Sequence, residues 1–148
     1  MSKGSYWVTR PHFSWQRKLP KYMMTHHQLG AERGLIAKCS GLGGRLYTLT
    51  IEQIGTTLRA DAGVYVFLRR VRSSEWHPVY IGATDNLHQC LNASLTQHHR
   101  WDCIAKAGAT HVGILRVRSN ADRVRVQDEL ERTYRPVCNR QKDHPPTR

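Results

Sequence analysis

GVYVFLRR at residues 63–70 and PVYIGA at residues 78–83 are the two stretches that decide the fold. Both are rich in β-branched and aromatic residues, so each predicts a β-strand. The polar link Val71–His77 predicts that the two strands form a hairpin. Because adjacent strands of a hairpin can present side chains on one face, we expect Tyr65 and Tyr80 to lie close together.

The remaining pattern predicts an α+β domain with a small, three-stranded, mainly antiparallel sheet flanked by helices. THVGILRVR at residues 110–118 predicts the third strand. Caps, leucine spacing and terminating residues predict helices at Thr50–Leu58, after Thr84 or Asp85, at His99–Ala107 and at Ala121–Tyr134, the last capped by Asn120. The expected element order is α-β-β-α-α-β-α.

We divide the chain into an N-terminal extension (residues 1–48), the α+β domain (49–141) and a basic tail (142–148). The extension is basic and interleaves aromatic residues with arginine and lysine. Such a segment either stacks on nucleic-acid bases while it neutralises phosphates, or folds its aromatic rings onto the neighbouring domain. The sequence leaves both interpretations open.

Charge is the most informative part of the composition. The 148 residues carry 23 Lys plus Arg against 11 Asp plus Glu, a formal net charge of +12. Such a field attracts polyanions, so we expect a nucleic-acid partner, although arginine enrichment also occurs merely for solubility. The longest apolar run, Ala62–Leu68, is far shorter than a membrane span, so no membrane association is expected.

The four cysteines, Cys39, Cys90, Cys103 and Cys138, contain no C-x-x-C pair. Their spacing gives poor support to a zinc site. Unpatterned cysteines are typical of a reducing compartment, so we expect a cytoplasmic location.

One set of motifs consists of GVY at residues 63–65, YIG at 80–82, a helix beginning at Asn86 and PVCN at 136–139. Together these motifs resemble the GIY-YIG endonuclease superfamily. The resemblance covers about residues 58–141 and is greatest to the small stand-alone bacterial members, whose pattern Trp101 and GATHV at 108–112 also fit. It implies an α+β fold and a nuclease-like function.

The resemblance also implies a reaction. Phosphodiester hydrolysis needs an activated nucleophile, a cation and positive charge on the non-bridging oxygens. In the family, a strand tyrosine acts as general base or positions water, and a helix arginine stabilises the phosphate. A glutamate of the last helix holds one divalent metal, Mg²⁺ or Mn²⁺ in an active member, and a terminal asparagine supports the site.

Only part of this catalytic set matches. Tyr65 and Tyr80 match the two motif tyrosines, and Asn139 matches the terminal asparagine. The position of the family arginine holds Cys90, and that of the family glutamate holds Gln127. The charged groups of the family are therefore replaced by a thiol and an amide.

Neighbouring residues offer possible substitutes. Glu131 is i+4 to Gln127 and is the only carboxylate of this helix with a plausible reach to the site, which makes it the metal candidate; its alternative role is an i,i+4 partner of Arg135. His98 lies three residues before Trp101, where the stand-alone members often carry a histidine. Arg100 is the next arginine after the hairpin, but it lies in a different stretch of chain.

We therefore expect a GIY-YIG-like protein that binds nucleic acid, DNA more than RNA, with an incomplete catalytic set and weak or absent hydrolysis. One alternative is an active divalent-metal-dependent endonuclease that uses Tyr65, Tyr80, His98, Glu131 and Asn139. Another is a protein-binding regulator, whose partner the sequence does not identify. The candidate phosphate-binding residues are Arg69, Arg70, Arg72, Arg116 and Arg118.

Overall fold

The structure, a computed structural model, describes residues 35–72 and 75–140. Its strands are β1 (Leu35–Ser40), β2 (Leu46–Gln53), β3 (Gly63–Arg72), β4 (Glu75–Thr84) and β5 (His111–Arg116). Its α-helices are α1 (Trp101–Lys106), α2 (Asn120–Tyr134) and α3 (Val137–Arg140), and a π-helical turn covers Gln89–Ala93. The aromatic residues of the predicted extension at positions 6–22 and the basic tail lie outside the described residues. None of the helices in the described ranges is long and apolar enough to cross a membrane.

The described strands form one antiparallel sheet in the order β1-β2-β5-β3-β4, which confirms the predicted α+β class. The sheet has five strands rather than the three predicted from sequence. The predicted helix Thr50–Leu58 is wrong, because residues 50–53 continue β2. The capping-box pattern here lies in a strand whose alternate residues Leu49 and Ile51 are buried, and Thr50 pairs with Ile114 of β5.

The predicted hairpin is present as β3 and β4. Tyr65 pairs with Gly82 and Phe67 pairs with Tyr80. A register shift follows between Phe67 and Leu68, because Leu68 pairs with Pro78 and leaves Val79 as an extra residue.

The two faces of the sheet bury different clusters. On one face, α2 packs Val126, Leu130 and Tyr134 against strand residues that include Val64, Val66 and Ile81. The opposite face buries Tyr65, Phe67, Val79, Tyr80, Leu87, Leu91, Ile104, Val112 and Ile114. The two motif tyrosines therefore lie on the face that α2 leaves uncovered.

The N-terminal cap of α2 differs from the one predicted from sequence. The cap is Ser119, whose hydroxyl accepts a hydrogen bond from the Asp122 N–H, rather than Asn120.

A disulfide joins Cys103 of α1 to Cys138 of α3, which the sequence did not predict. The two cysteines are 35 residues apart, and the packing of α1 and α3 on one side of the sheet, not their spacing, brings them together.

Candidate active site at the tyrosine hairpin

Tyr65 and Tyr80 form the centre of the candidate site. Their ring centroids are 6.2 Å apart, and both side chains are buried at 3% and 5% exposure. Gly82 makes room for this pair, since an added Cβ there would lie 2.5 Å from the Tyr65 Oη and 2.9 Å from the Tyr80 ring. The glycine of the YIG motif is thus required by the close approach of both rings.

Burial raises the pKa of both phenols. For Tyr65, burial is the largest cause, followed by the nearby Cys90 and Tyr80. For Tyr80, burial and then the negative charge of Glu131 raise the pKa to about 12, against an opposing effect of the Arg100 charge. Both phenols are therefore protonated near neutral pH.

His98 is hydrogen-bonded to Tyr65. Its Nε2 lies 2.7 Å from the Tyr65 Oη, and its Nδ1 accepts a hydrogen bond from the Arg100 backbone N–H at 3.0 Å. Because Nδ1 accepts, the neutral ring carries its proton on Nε2 and donates it to Tyr65. Burial, with smaller effects of His99 and Arg100, lowers the pKa of His98 to about 4, so the ring is neutral at physiological pH.

His99 is a site residue that the sequence did not single out. Its ring stacks on His98 with centroids 4.7 Å apart, and its Nε2 lies 3.4 Å from the Tyr80 Oη. The residue is exposed to solvent, unlike the two tyrosines. Its position beside His98 was the only available signal, and two adjacent histidines are more often a surface pair.

Asn139 fixes the edge of the sheet beside Tyr80. Its Oδ1 accepts from the Ile81 N–H at 2.7 Å, and its Nδ2 donates to the Ile81 carbonyl at 2.8 Å, so the amide pairs with the edge strand β4. Nδ2 also donates to the Glu131 Oε2 at 2.9 Å. Asn139 is buried, and its contacts join α3, β4 and α2 at one point.

Glu131 lies at this junction. Its Oε2 accepts hydrogen bonds from both Asn139 and the Gln127 Nε2, the latter at 3.1 Å, and its charge acts on Tyr80. The amide at position 127 therefore orients a carboxylate that lies one helical turn further on. The structure brings together Tyr80, Asn139 and Glu131 as candidates from the sequence.

Arg100 supplies a positive charge to the same place. Its charge opposes the rise that burial causes in the pKa of Tyr80, and adds a smaller effect to the fall that burial causes in the pKa of His98. Its Nε is buried and, among the residues that the structure describes, has no hydrogen-bond partner. The sequence did not favour Arg100 because it lies in a different stretch of chain from position 90.

Cys90 occupies the other side of Tyr65. It lies on the π-helical turn Gln89–Ala93, close enough to Tyr65 to add to the burial-driven rise in the pKa of that phenol. Burial raises the pKa of this thiol, so it remains protonated at neutral pH. Cys90 thus lies beside Tyr65 without adding a charge to the site.

The hairpin arginines lie at the opposite end of β3 from Tyr65, with partners of their own. Arg69 donates to the His77 Nδ1 at 3.2 Å, the Arg70 guanidinium lies 4.6 Å from the Trp76 ring centroid, and Arg72 pairs with Glu75. Arg116 and Arg118 instead line a cavity near the start of β3.

Among the described residues, this site offers a divalent cation one carboxylate, Glu131, rather than a full set of protein ligands. No group of three or more His, Cys, Asp and Glu side chains suited to a metal occurs in residues 35–72 and 75–140. Mg²⁺, however, commonly keeps several waters and is held by one or two carboxylates together with substrate phosphate. Glu131, oriented by two amide groups, meets that smaller requirement.

Histidines whose pKa is lowered in the folded protein predict that acid destabilises the fold. Burial, with a smaller effect of Arg69, lowers the pKa of His77 to about 4, as burial does for His98. Between pH 6.5 and 4 the unfolded chain binds more protons, so the free energy of unfolding should fall as pH falls, by at most about 1.4 kcal/mol per pH unit per histidine. His98 is partly exposed and should contribute less.

Urea unfolding at pH 7.0, 6.0 and 5.0 measures this slope. His77→Gln should reduce the slope of the free energy of unfolding against pH. His88→Gln is the matched control, because His88 is exposed. An unchanged slope in His77→Gln would contradict the assignment.

Comparisons with protein-family models and with curated proteins give no match. Among solved structures, the chain is similar to the GIY-YIG N-terminal endonuclease domain of UvrC from Thermotoga maritima bound to magnesium, with 24% identity, 58% of this chain and 90% of that chain covered, and a TM-score of 0.47. A point mutant of that domain bound to its catalytic divalent cation is similar at 23% identity, 57% and 88% coverage, and a TM-score of 0.46.

Proposed function

We propose that the protein is a divalent-cation-dependent nuclease that hydrolyses phosphodiesters at the tyrosine hairpin. The observation that carries this proposal is the set of contacts around Tyr80. Asn139 joins the Glu131 carboxylate to the backbone of Ile81, and the Arg100 backbone N–H is bonded to His98, whose ring centroid lies 5.2 Å from that of Tyr80. An arginine and a carboxylate thus stand beside the motif tyrosine, although positions 90 and 127 hold neither. This differs from the weak or absent hydrolysis that those two positions alone led us to expect.

Arg100 is the group that would bind the scissile phosphate. The charge on the non-bridging oxygens grows in the transition state, and preorganised donors in a partly desolvated site stabilise it strongly. The buried Nε–H of Arg100 is a hydrogen-bond donor with no partner among the described residues. A guanidinium can also bind two phosphate oxygens at once.

Tyr80 and His99 provide a route for the proton of the attacking water. With a pKa of about 12, Tyr80 does not hold a negative charge by itself near neutral pH. Its oxygen can accept the water proton as its own proton passes to the His99 Nε2, and the 3.4 Å separation is of the loose kind that tightens when substrate binds. Tyr65, held by His98, packs beside Tyr80 and fixes the position of its ring.

Glu131 is the residue that would hold Mg²⁺ or Mn²⁺. When bound, such an ion offsets the charge of the phosphate and favours ionisation of water. Asn139 and Gln127 hold the Oε2 atom of the carboxylate, and Asn139 ties it to the backbone of Ile81 next to Tyr80.

The net charge of +12 supports nucleic acid as the substrate, and we propose DNA before RNA. The test is nicking of supercoiled plasmid in Mg²⁺ or Mn²⁺, with a chelator arm. We expect chelator-sensitive nicking that falls about 100-fold in Tyr80→Phe. Tyr47→Phe is the matched control, because the Tyr47 hydroxyl donates to Glu129 rather than to a site residue. Binding without chelator-sensitive nicking would instead establish a nucleic-acid-binding protein with an inactive site.

Removing the proton acceptor beside Tyr80 should slow nicking. We expect His99→Gln to lower the nicking rate about 100-fold, because glutamine retains a hydrogen bond to Tyr80 but cannot take its proton. His88→Gln is the control, and nicking by His99→Gln at the wild-type rate would exclude the relay.

A further inference from the structure

We infer that the face of the sheet that carries the tyrosines also holds a second phosphate-binding subsite, formed by Arg59, Arg116 and Arg118. These three residues line a cavity of about 600 Å³ together with Asp61, Ala62 and Val117. The proposal rests on the nucleic-acid substrate proposed above and adds where a second phosphate of the same strand would be held.

The cavity has an excess of positive charge. Asp61 is the one acidic residue of its lining, and it is shared, with its Oδ2 2.9 Å from the Arg116 Nε and 3.5 Å from the Arg59 Nε. Three guanidinium groups against one carboxylate leave a net charge of +2. A guanidinium paired through Nε keeps other N–H donors, which match the oxygens of a phosphate.

The register of the sheet places Arg116, and with it the cavity, on the face that carries Tyr65 and Tyr80. Tyr65 pairs with Ile114 and Gly63 pairs with Arg116. Side chains two residues apart on a strand share a face, so Arg116 lies on the same face as Ile114, which packs in the cluster that includes Tyr65.

The distance between Tyr80 in the candidate active site and Arg116 in the cavity is one that a single nucleic-acid strand can span. Tyr80 pairs with Phe67, and Phe67 pairs with Val112, which is four residues along β5 from Arg116. The separation is therefore roughly 14 Å along the strand and two strand spacings across, or roughly 17 Å between backbones. A strand of duplex DNA advances about 3.4 Å per nucleotide, so the subsite would meet a phosphate a few nucleotides from the scissile bond.

These ion pairs also have a purely structural interpretation, in which Asp61 connects the segment before β3 to the end of β5. The two interpretations predict opposite results for Asp61→Asn. If the arginines bind phosphate, removal of the shared carboxylate leaves both guanidinium groups available and tightens binding. If they serve only to hold the segment, Asp61→Asn lowers stability and brings no gain in affinity.

The test is fluorescence anisotropy of labelled oligonucleotides in the presence of chelator, so that no cleavage occurs. Arg118→Ala should weaken binding of a 15-base-pair DNA duplex about five- to tenfold, and the slope of log Kd against log salt should fall by about one. Asp61→Asn should bind several-fold more tightly with a steeper slope, a gain that misfolding cannot produce. Arg132→Ala is the control, since Arg132 pairs with Asp128 on α2, outside this cavity.

The same assay with single-stranded DNA and with duplex RNA identifies which nucleic acid supplies the phosphate. A loss of affinity in Arg118→Ala for any of these oligonucleotides supports the subsite. The inference is overturned if Arg118→Ala and Arg116→Ala lose no more affinity than Arg132→Ala, or if Asp61→Asn binds no more tightly than wild type. Because the assay needs no hydrolysis, a protein that fails to nick plasmid but shows these changes would refute the nuclease proposal and retain the subsite.

Discussion

Glu131→Gln should reduce Mg²⁺-dependent nicking by roughly 10³-fold or more. A bound divalent ion contributes several kcal/mol of transition-state stabilisation, and each 1.36 kcal/mol corresponds to a tenfold change in rate. Glutamine retains a carbonyl oxygen that can accept the Asn139 and Gln127 amide hydrogen bonds, so the fold should be kept while the charge is lost. The plasmid assay, run over a range of Mg²⁺ concentrations, measures the effect.

Asp128→Asn is the matched control for Glu131→Gln. Asp128 is an acid of the same helix, and it pairs with Arg132 at 58% exposure, so its removal should leave nicking unchanged. A second variant tests the geometry, because Gln127→Glu in the Glu131→Gln background places a carboxylate one turn earlier on the same side of α2. Partial recovery would show that either turn can hold the ion, whereas wild-type nicking in Glu131→Gln would remove Glu131 from the site.

The sequence predicted the parts of the site that regular secondary structure positions. Strand composition and alternation were sufficient to place Tyr65 and Tyr80 on a hairpin, because side-chain direction in a strand has a fixed period of two. Helix geometry likewise singled out Glu131 as the one carboxylate of the last helix with a plausible reach to the site, since residues four apart share a side, although a pairing with Arg135 stayed open. In both cases the inference used only local geometry.

Arg100 and His99 could not be placed in this way. They follow a π-helical turn, a short 3-10 turn at Leu95–Gln97 and a bend, and no periodic rule relates such a path to the hairpin. The same limit applied to β1 and β2. Local signals at residues 50–53 favoured a helix cap, whereas pairing with β5, more than 55 residues away in sequence, determines the strand.

Arg100→Met should lower the nicking rate by about 10²- to 10³-fold, the usual cost of removing one donor to the developing negative charge. Arg132→Met provides the control for loss of a surface arginine. Arg100→Lys should recover only part of the loss, because an ammonium keeps the charge but not the planar pair of donors.

A titration of His98 by NMR separates an electrostatic role of Arg100 from a merely structural one. Burial lowers the pKa of His98 to about 4, with smaller effects of His99 and of the Arg100 charge, and the same charge opposes the burial-driven rise in the pKa of Tyr80. Arg100→Met should therefore move the His98 pKa up towards its ordinary value of about 6.5. Cys90→Arg in the same background tests whether a guanidinium delivered from the π-helical turn beside Tyr65 can replace it. Recovery of nicking by that second substitution would show that the site needs an arginine at the phosphate rather than at one position of the chain. The role assigned to Arg100 would be contradicted if Arg100→Met nicks at the wild-type rate and the pKa of His98 does not move.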